Sequence, residues 1–262
     1  MERMRETVFA RSYPLCPSLY LCLALSLHLL LAGCQTPSRT PAAPPIDRIT
    51  LFEQFLLDDP GDNWAFRTPE LWRIAREGDR RFLQMAIPPE RPMLPGVRRP
   101  QEYALYAPYQ FRSFSLSVRV RVDRDPSVLR RDAVFIFGWQ DDTHFYYAHL
   151  SGLTDEWHNA LVRVDGQTRV SLVPPAHRPP PTLTDTDWHK VDILRDVNAG
   201  TIEVYVDAYD ESAKPVFRVT DRTYEWGHIG LGSFDDHASF ASVKIEGEVR
   251  RAGRPQIGTP PA

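Results

Sequence analysis

A two-residue period runs through this chain and constrains its fold more than any other feature. Residues 114–122 read FSLSVRVRV, apolar and polar side chains alternating along the whole run. Successive side chains of an extended strand point to opposite faces, so such a run belongs on a half-buried sheet. Further strands are expected at 133–139, 145–150, 160–164, 169–173, 188–194, 201–206, 228–233 and 239–246. Asp165-Gly166 and Asn198-Ala199-Gly200 fall between consecutive members and suit the tight turns of hairpins. No stretch keeps a helical stripe for three turns. Short strands separated by Gly, Asp and Pro predict an all-β domain, a two-sheet antiparallel β-sandwich. Prolines crowd 88–100 and 174–181. Proline removes a ladder donor, so both segments are expected as loops, and loops on a rigid sandwich are where sites tend to be built.

The ends read differently. Arg3, Arg5 and Arg11 precede an apolar run from Leu19 to Ala32 that ends in Leu31-Ala32-Gly33-Cys34. A basic start, a short apolar middle and small residues at its end describe a secretory signal over 1–33. The run is shorter than the roughly twenty residues that a spanning helix needs. All three cysteines, Cys16, Cys22 and Cys34, lie in this segment or at its end. The domain itself therefore has no thiol, which excludes a cysteine nucleophile and a Cys-ligated zinc. Residues 34–47 are polar and proline-rich and are expected to form an extended tether. Residues 48–249 are expected to form one domain without internal repeats, and 250–262 a disordered tail. Removing 1–33 takes away three arginines and two glutamates, which moves the formal charge from −3 to −4. That balance leaves no electrostatic footprint for a nucleic acid.

Two resemblances add to this reading. Leu-Ala-Gly-Cys resembles the bacterial lipoprotein signal, which implies cleavage before Cys34, acylation of Cys34 and anchoring in a membrane of the cell envelope. Gln35 follows, rather than the aspartate that retains lipoproteins in the inner membrane, so outer-membrane sorting is expected if the cell is Gram-negative. WHKVDILRDVNAGTIEVYVD (188–207), GHIGLGSFDDHASFASVKIEG (227–247) and LWRIAREGDRRFLQMA (71–86) together resemble the strand framework of concanavalin A-like (laminin-G-like) jelly rolls. Within these, the chain is most similar to bacterial exported domains of the 3-keto-disaccharide hydrolase type. The resemblance implies a sheet face that holds carbohydrate, in a lectin or in an enzyme; no cofactor is expected, a structural calcium being the one that the resemblance leaves open. The jelly-roll glucanase pattern Glu-x-Asp-x-(x)-Glu is absent, as is the lyase pattern with a Gln-x-His strand. Asp123-Arg124-Asp125 lacks the flanking glutamate and runs into Pro126.

The chemistry concentrates in DDTHFYYAHLSGLTDEWHN, residues 141–159. On a strand, Phe145, Tyr147 and His149 share one face. Phe135, Phe137 and Trp139 share one face of the strand before it. Phe135, Phe137 and Phe145 are expected in the core. Trp139, Tyr147 and His149 have polar handles and suit a sugar, which takes an aromatic plate and hydrogen-bonding groups. Asp155, His158 and Asn159, just before a strand, add an acceptor, an acid/base and an amide. Arg163 and Arg169 could clamp an acidic or keto sugar. Asp141, Asp142, His149, Asp155 and His158 could compose a metal site, but no helical His pair or calcium-loop spacing accompanies them. The loop Asp235-Asp236-His237 is read as a solvated turn, with lining of the site as the lesser alternative, and Trp188 as framework. The leading expectation is a carbohydrate-binding domain that uses Trp139, Tyr147, His149, Asp155, His158, Asn159 and Arg169. The alternatives are a hydrolase or lyase acting on a modified sugar, with His149 or His158 as acid/base oriented by Asp155, and a structural or protein-interaction module.

Overall fold

The computed structural model describes residues 46–88, 96, 98–208 and 212–258. The signal, Cys34 and nearly all of the tether lie outside the described residues. In chain order the strands are β1 (Asp47–Glu53), β2 (Trp64–Phe66), β3 (Trp72–Glu77), β4 (Arg80–Met85), β5 (Glu102–Tyr106), β6 (Tyr109–Val122), β7 (Asp132–Asp141) and β8 (His144–Ser151). They continue as β9 (Ala160–Asp165), β10 (Thr168–Ser171), β11 (His189–Asp196), β12 (Thr201–Val206), β13 (Phe217–Thr220), β14 (His228–Ser233) and β15 (Ala238–Arg251). One sheet has the order β13-β12-β11-β6-β15-β4-β3, with β1 also on β15, and the other the order β10-β9-β8-β7-β14-β5-β2. The strand pairs in both sheets are antiparallel. Among the described residues the only helical pieces are two 3-10 turns, Pro69–Leu71 and Pro175–His177. The architecture is the all-β, two-sheet sandwich that the alternation predicts.

The period-two pattern works as read. In β6, Phe114, Leu116, Val118, Val120 and Val122 are buried while the residues between them are half-buried. They join Val191 and Ile193 of β11 in the core between the sheets, against Phe135, Phe137, Tyr146 and Leu150 of the other sheet. Removing each such side chain from water contributes roughly 1.5–3 kcal/mol. The second sheet is buried on its outer face too. There Tyr103, Leu105, Val134, Ile136, Trp139, Phe145, Tyr147, Val162, Val164 and Phe234 form a separate apolar cluster.

Trp139 reaches that outer cluster by a change of phase. Expected on one face with Phe135 and Phe137, it lies on the opposite one. Gly138 adopts a φ of +59°, and the β7–β8 register shifts between Phe137 and Asp141. One residue of bulge inverts the alternation. A Cβ at Gly138 would come within 3.2 Å of both Tyr146 Cδ2 and Tyr224 Cβ, so the bulge is built around a glycine.

The expected disordered tail is corrected as far as Gly258. Strand β15 continues to Arg251, and Arg254 then donates to the carbonyls of Gly61 and Trp64 at 2.7 and 2.8 Å. Ile257 packs on the outer cluster, and the Gly258 N–H donates to Asp142 Oδ2 at 3.0 Å. Low sequence complexity conceals this because the docking surface is made by remote strands.

Candidate functional site

One end of the outer face, where β7 begins and β8 and β14 end, holds a pocket of about 350 Å³. The register builds its floor. Val134 pairs with both His149 and Gly232, which brings Asp132, His149 and the Phe234 that follows β14 together. The His149 ring stacks on Phe234, with centroids 4.8 Å apart and planes at 23°. Its Nε2 lies 3.2 Å from Asp132 Oδ2, yet neither ring nitrogen of His149 makes a well-aligned hydrogen bond among the described residues. Asp132 Oδ1 is held by the Ser233 hydroxyl at 2.5 Å and the Phe234 N–H at 3.0 Å. Burial opposes ionisation of Asp132, but His149 and these donors outweigh it and lower its pKa.

The loop between β8 and β9 forms one wall. Asp155 Oδ1 accepts from the N–H groups of Trp157 and His158 at 2.7 and 2.9 Å, a turn that Asp favours for this reason. The His158 Nδ1 lies 2.9 Å from the same oxygen. Burial again opposes the charge, yet the two backbone donors and the His158 ring bring Asp155 down to about 2. The rings of His149 and His158 are 4.7 Å apart. Burial, followed by the nearby His149 charge, lowers the His158 pKa even against Asp155. A neutral imidazole is thus favoured beside two ionised carboxylates.

Arginines supply the rest of the rim. Arg169 of β10 lays its guanidinium 3.8 Å from the centre of the Trp157 ring, and its Nη1 donates to the Arg98 carbonyl at 3.5 Å. Arg98 sits over Phe234, its guanidinium 5.6 Å from the ring centre, and Arg130 and Asp235 complete the lining. Beneath them the Tyr147 hydroxyl is buried without a hydrogen-bond partner among the described residues; burial pushes its pKa up, and the Arg169 charge opposes this.

Four of the residues expected from sequence converge here: His149, Asp155, His158 and Arg169. Tyr147 lies below the pocket, fully buried. Trp139 is in the same outer cluster but packs edge-on against the His228 ring, whose Nδ1 faces the Tyr106 carbonyl. Asn159 does not offer its amide to the pocket. Its Nδ2 donates to the Ser151 and Leu153 carbonyls and to Thr154 Oγ1, while its Oδ1 accepts from the Ser151 N–H and Thr182 Oγ1. With a φ of 51°, a region that Asn tolerates, it closes the loop that carries His158. Arg163 is on the other side of its strand and is bound to Asp221 at 2.5 Å, so it cannot act with Arg169.

Reading the sequence missed Asp132, Phe234, Arg98 and Arg130, and it named Trp157 only as part of the loop. An aspartate opening the apolar run Ala133–Trp139 was the one available signal. The five metal candidates split. Asp141 binds His144 and its own turn, and Asp142 bonds Tyr103, both at the opposite end of β8 from His149. The carboxylates that do cluster are Asp132, Asp235 and Asp236, each with an oxygen within 4.8 Å of the others. Burial and the Asp132 charge raise Asp236 to about 6, while Arg124 at 2.5 Å and the Asp132 N–H at 2.7 Å occupy its two oxygens.

This architecture has known counterparts. Winged bean acidic lectin, solved with methyl-α-D-galactose, matches with a TM-score of 0.50 at 9% identity, covering 78% of this chain and all 100% of the lectin. The fold is the concanavalin A-like jelly roll. Carbohydrate binding module CBM66 from Bacillus subtilis matches with a TM-score of 0.49 at 13% identity, over 70% of this chain and 95% of the module. At such identities the likeness concerns the fold. No family model matches the chain, and no curated protein does.

Proposed function

We propose that the chain is an exported, lipid-anchored protein whose jelly roll binds carbohydrate in the pocket between the 151–159 loop and Phe234. The observation that carries this is the pocket itself. Its volume suits a small part of a glycan, and it sets an aromatic surface, the Trp157 ring, beside convergent polar groups from four segments of the fold. Winged bean acidic lectin, which shares the fold, was solved with methyl-α-D-galactose, and this is consistent with the reading. The arginine-led leader ending in Leu-Ala-Gly-Cys supports export and acylation of Cys34. Screening the full-length chain on a glycan array, with mass spectrometry of every bound glycan, tests the site. Absence of binding by a folded sample would refute it. Intact mass before and after Cys34→Ala tests the anchor, which predicts loss of the lipid mass in the variant.

A second reading has one observation of its own. Two imidazoles 4.7 Å apart, each beside an aspartate, form an arrangement able to take up and return a proton at a bound sugar. Under that reading His158, held neutral by burial, is the base and Asp155 orients it. Cleaved glycan in the mass spectra, lost in His158→Gln while binding persists, would favour this reading over simple binding.

A further inference from the structure

We infer that the ligand of this pocket carries an anionic substituent, a carboxylate or a sulfate or phosphate ester, received by Arg98, Arg130 and Arg169. This deepens the carbohydrate reading and rests on it. The argument is an account of hydrogen-bonding capacity. Two of the pocket's three carboxylates already have partners. Asp132 is engaged by Ser233, Phe234 and His149, and Asp155 by two backbone N–H groups and His158. The donors, by contrast, are unspent. Among the described residues the Arg98 and Arg130 guanidinium groups have no ion pair or hydrogen bond, and Arg169 makes one long bond to a carbonyl. The Tyr147 hydroxyl and the His149 Nδ1 are buried without a hydrogen-bond partner among the described residues. An arginine offers five N–H donors and accepts none. A lining whose free donors outnumber its free acceptors is complementary to a ligand rich in acceptors, and a planar carboxylate or a tetrahedral ester matches the guanidinium fork.

Aromatic rings hold two of the cations in place: Arg169 lies over Trp157 and Arg98 over Phe234. Asp235, the remaining acid on the rim, makes no ion pair with these arginines among the described residues; burial, followed by the Asp132 charge, raises its pKa.

Matched glycan pairs test the inference with the full-length chain: glucuronate against glucose oligomers, and sulfated against unsulfated galactosides, titrated at about 50 and 200 mM salt. The acidic member is expected to bind at least tenfold more tightly, with the gap narrowing at the higher salt. Arg98→Gln and Arg130→Gln, both at exposed positions, are each expected to remove about tenfold of that preference while thermal unfolding stays in place. Equal binding of neutral and acidic members would overturn the inference and leave the carbohydrate reading standing. So would an acidic preference that both arginine variants retain. Inorganic sulfate competing as well as the sulfated glycan would support the anion site and overturn the sugar.

Discussion

Replacing Asn159 by alanine separates a framework role from a ligand contact. The side chain makes five hydrogen bonds, three donated and two accepted, all within the loop and its neighbours. Ser151 is fully buried: its carbonyl keeps the Thr182 N–H at 3.0 Å, but its own N–H loses a partner that water cannot replace, at about 1–3 kcal/mol. The remaining partners, Leu153, Thr154 and Thr182, are half-buried and can be hydrated at little cost. Alanine at a φ of 51° adds about 1 kcal/mol. The sum is roughly 2–4 kcal/mol. In a domain of this size each kcal/mol lowers the midpoint by about 2–4 °C, so a fall of about 10 °C is expected. Asn159→Gly loses the same bonds without the strain and should be about 1 kcal/mol milder. Urea and calorimetric unfolding of both variants, with glycan titration beside them, make the assay. An alanine variant within about 1 kcal/mol of the parent that still loses binding would refute the reasoning and return Asn159 to the ligand.

Three further outcomes are expected. The His158 ring should titrate below 6.5 by NMR, and His149→Phe, which removes the neighbouring charge but keeps a ring on Phe234, should move it upward; no movement would contradict the coupling. Because folding lowers this pKa, the associated stability is fully present above pH 6.5 and is lost as the pH falls through the folded value. Gly138→Ala should cost about 2–3 kcal/mol through positive φ and contact with Tyr146 and Tyr224, and a neutral result in urea would show the bulge to be dispensable. Deleting 252–262 should lower stability by about 1–2 kcal/mol and raise hydrogen exchange in β2 and at the β7–β8 turn, where Arg254 and Gly258 dock; unchanged exchange would contradict a docked tail.

Much of the site was legible only in pieces. His149, Asp155, His158 and Arg169 were found because they lie within twenty-one residues and sit on or beside strands whose period can be counted. Asp132, Phe234, Arg98 and Arg130 come from three other segments, and nothing in their local sequence points to a common place. Asn159 has the composition of a site residue, but its amide is consumed by a loop whose path cannot be read from residue types. Trp139 was assigned a face by counting, and one glycine at positive φ reversed the count.

The sequence by itself determined the sandwich. An alternation such as FSLSVRVRV can bury its apolar half only against a second layer, and the turn residues between the runs permit only short connections. The tertiary structure decided which residues meet at the pocket. Local pattern specifies which way a side chain points, whereas strand order and register specify its neighbours. β7 lies between β8 and β14, and that adjacency places Asp132, His149 and Phe234 together across a hundred residues of chain.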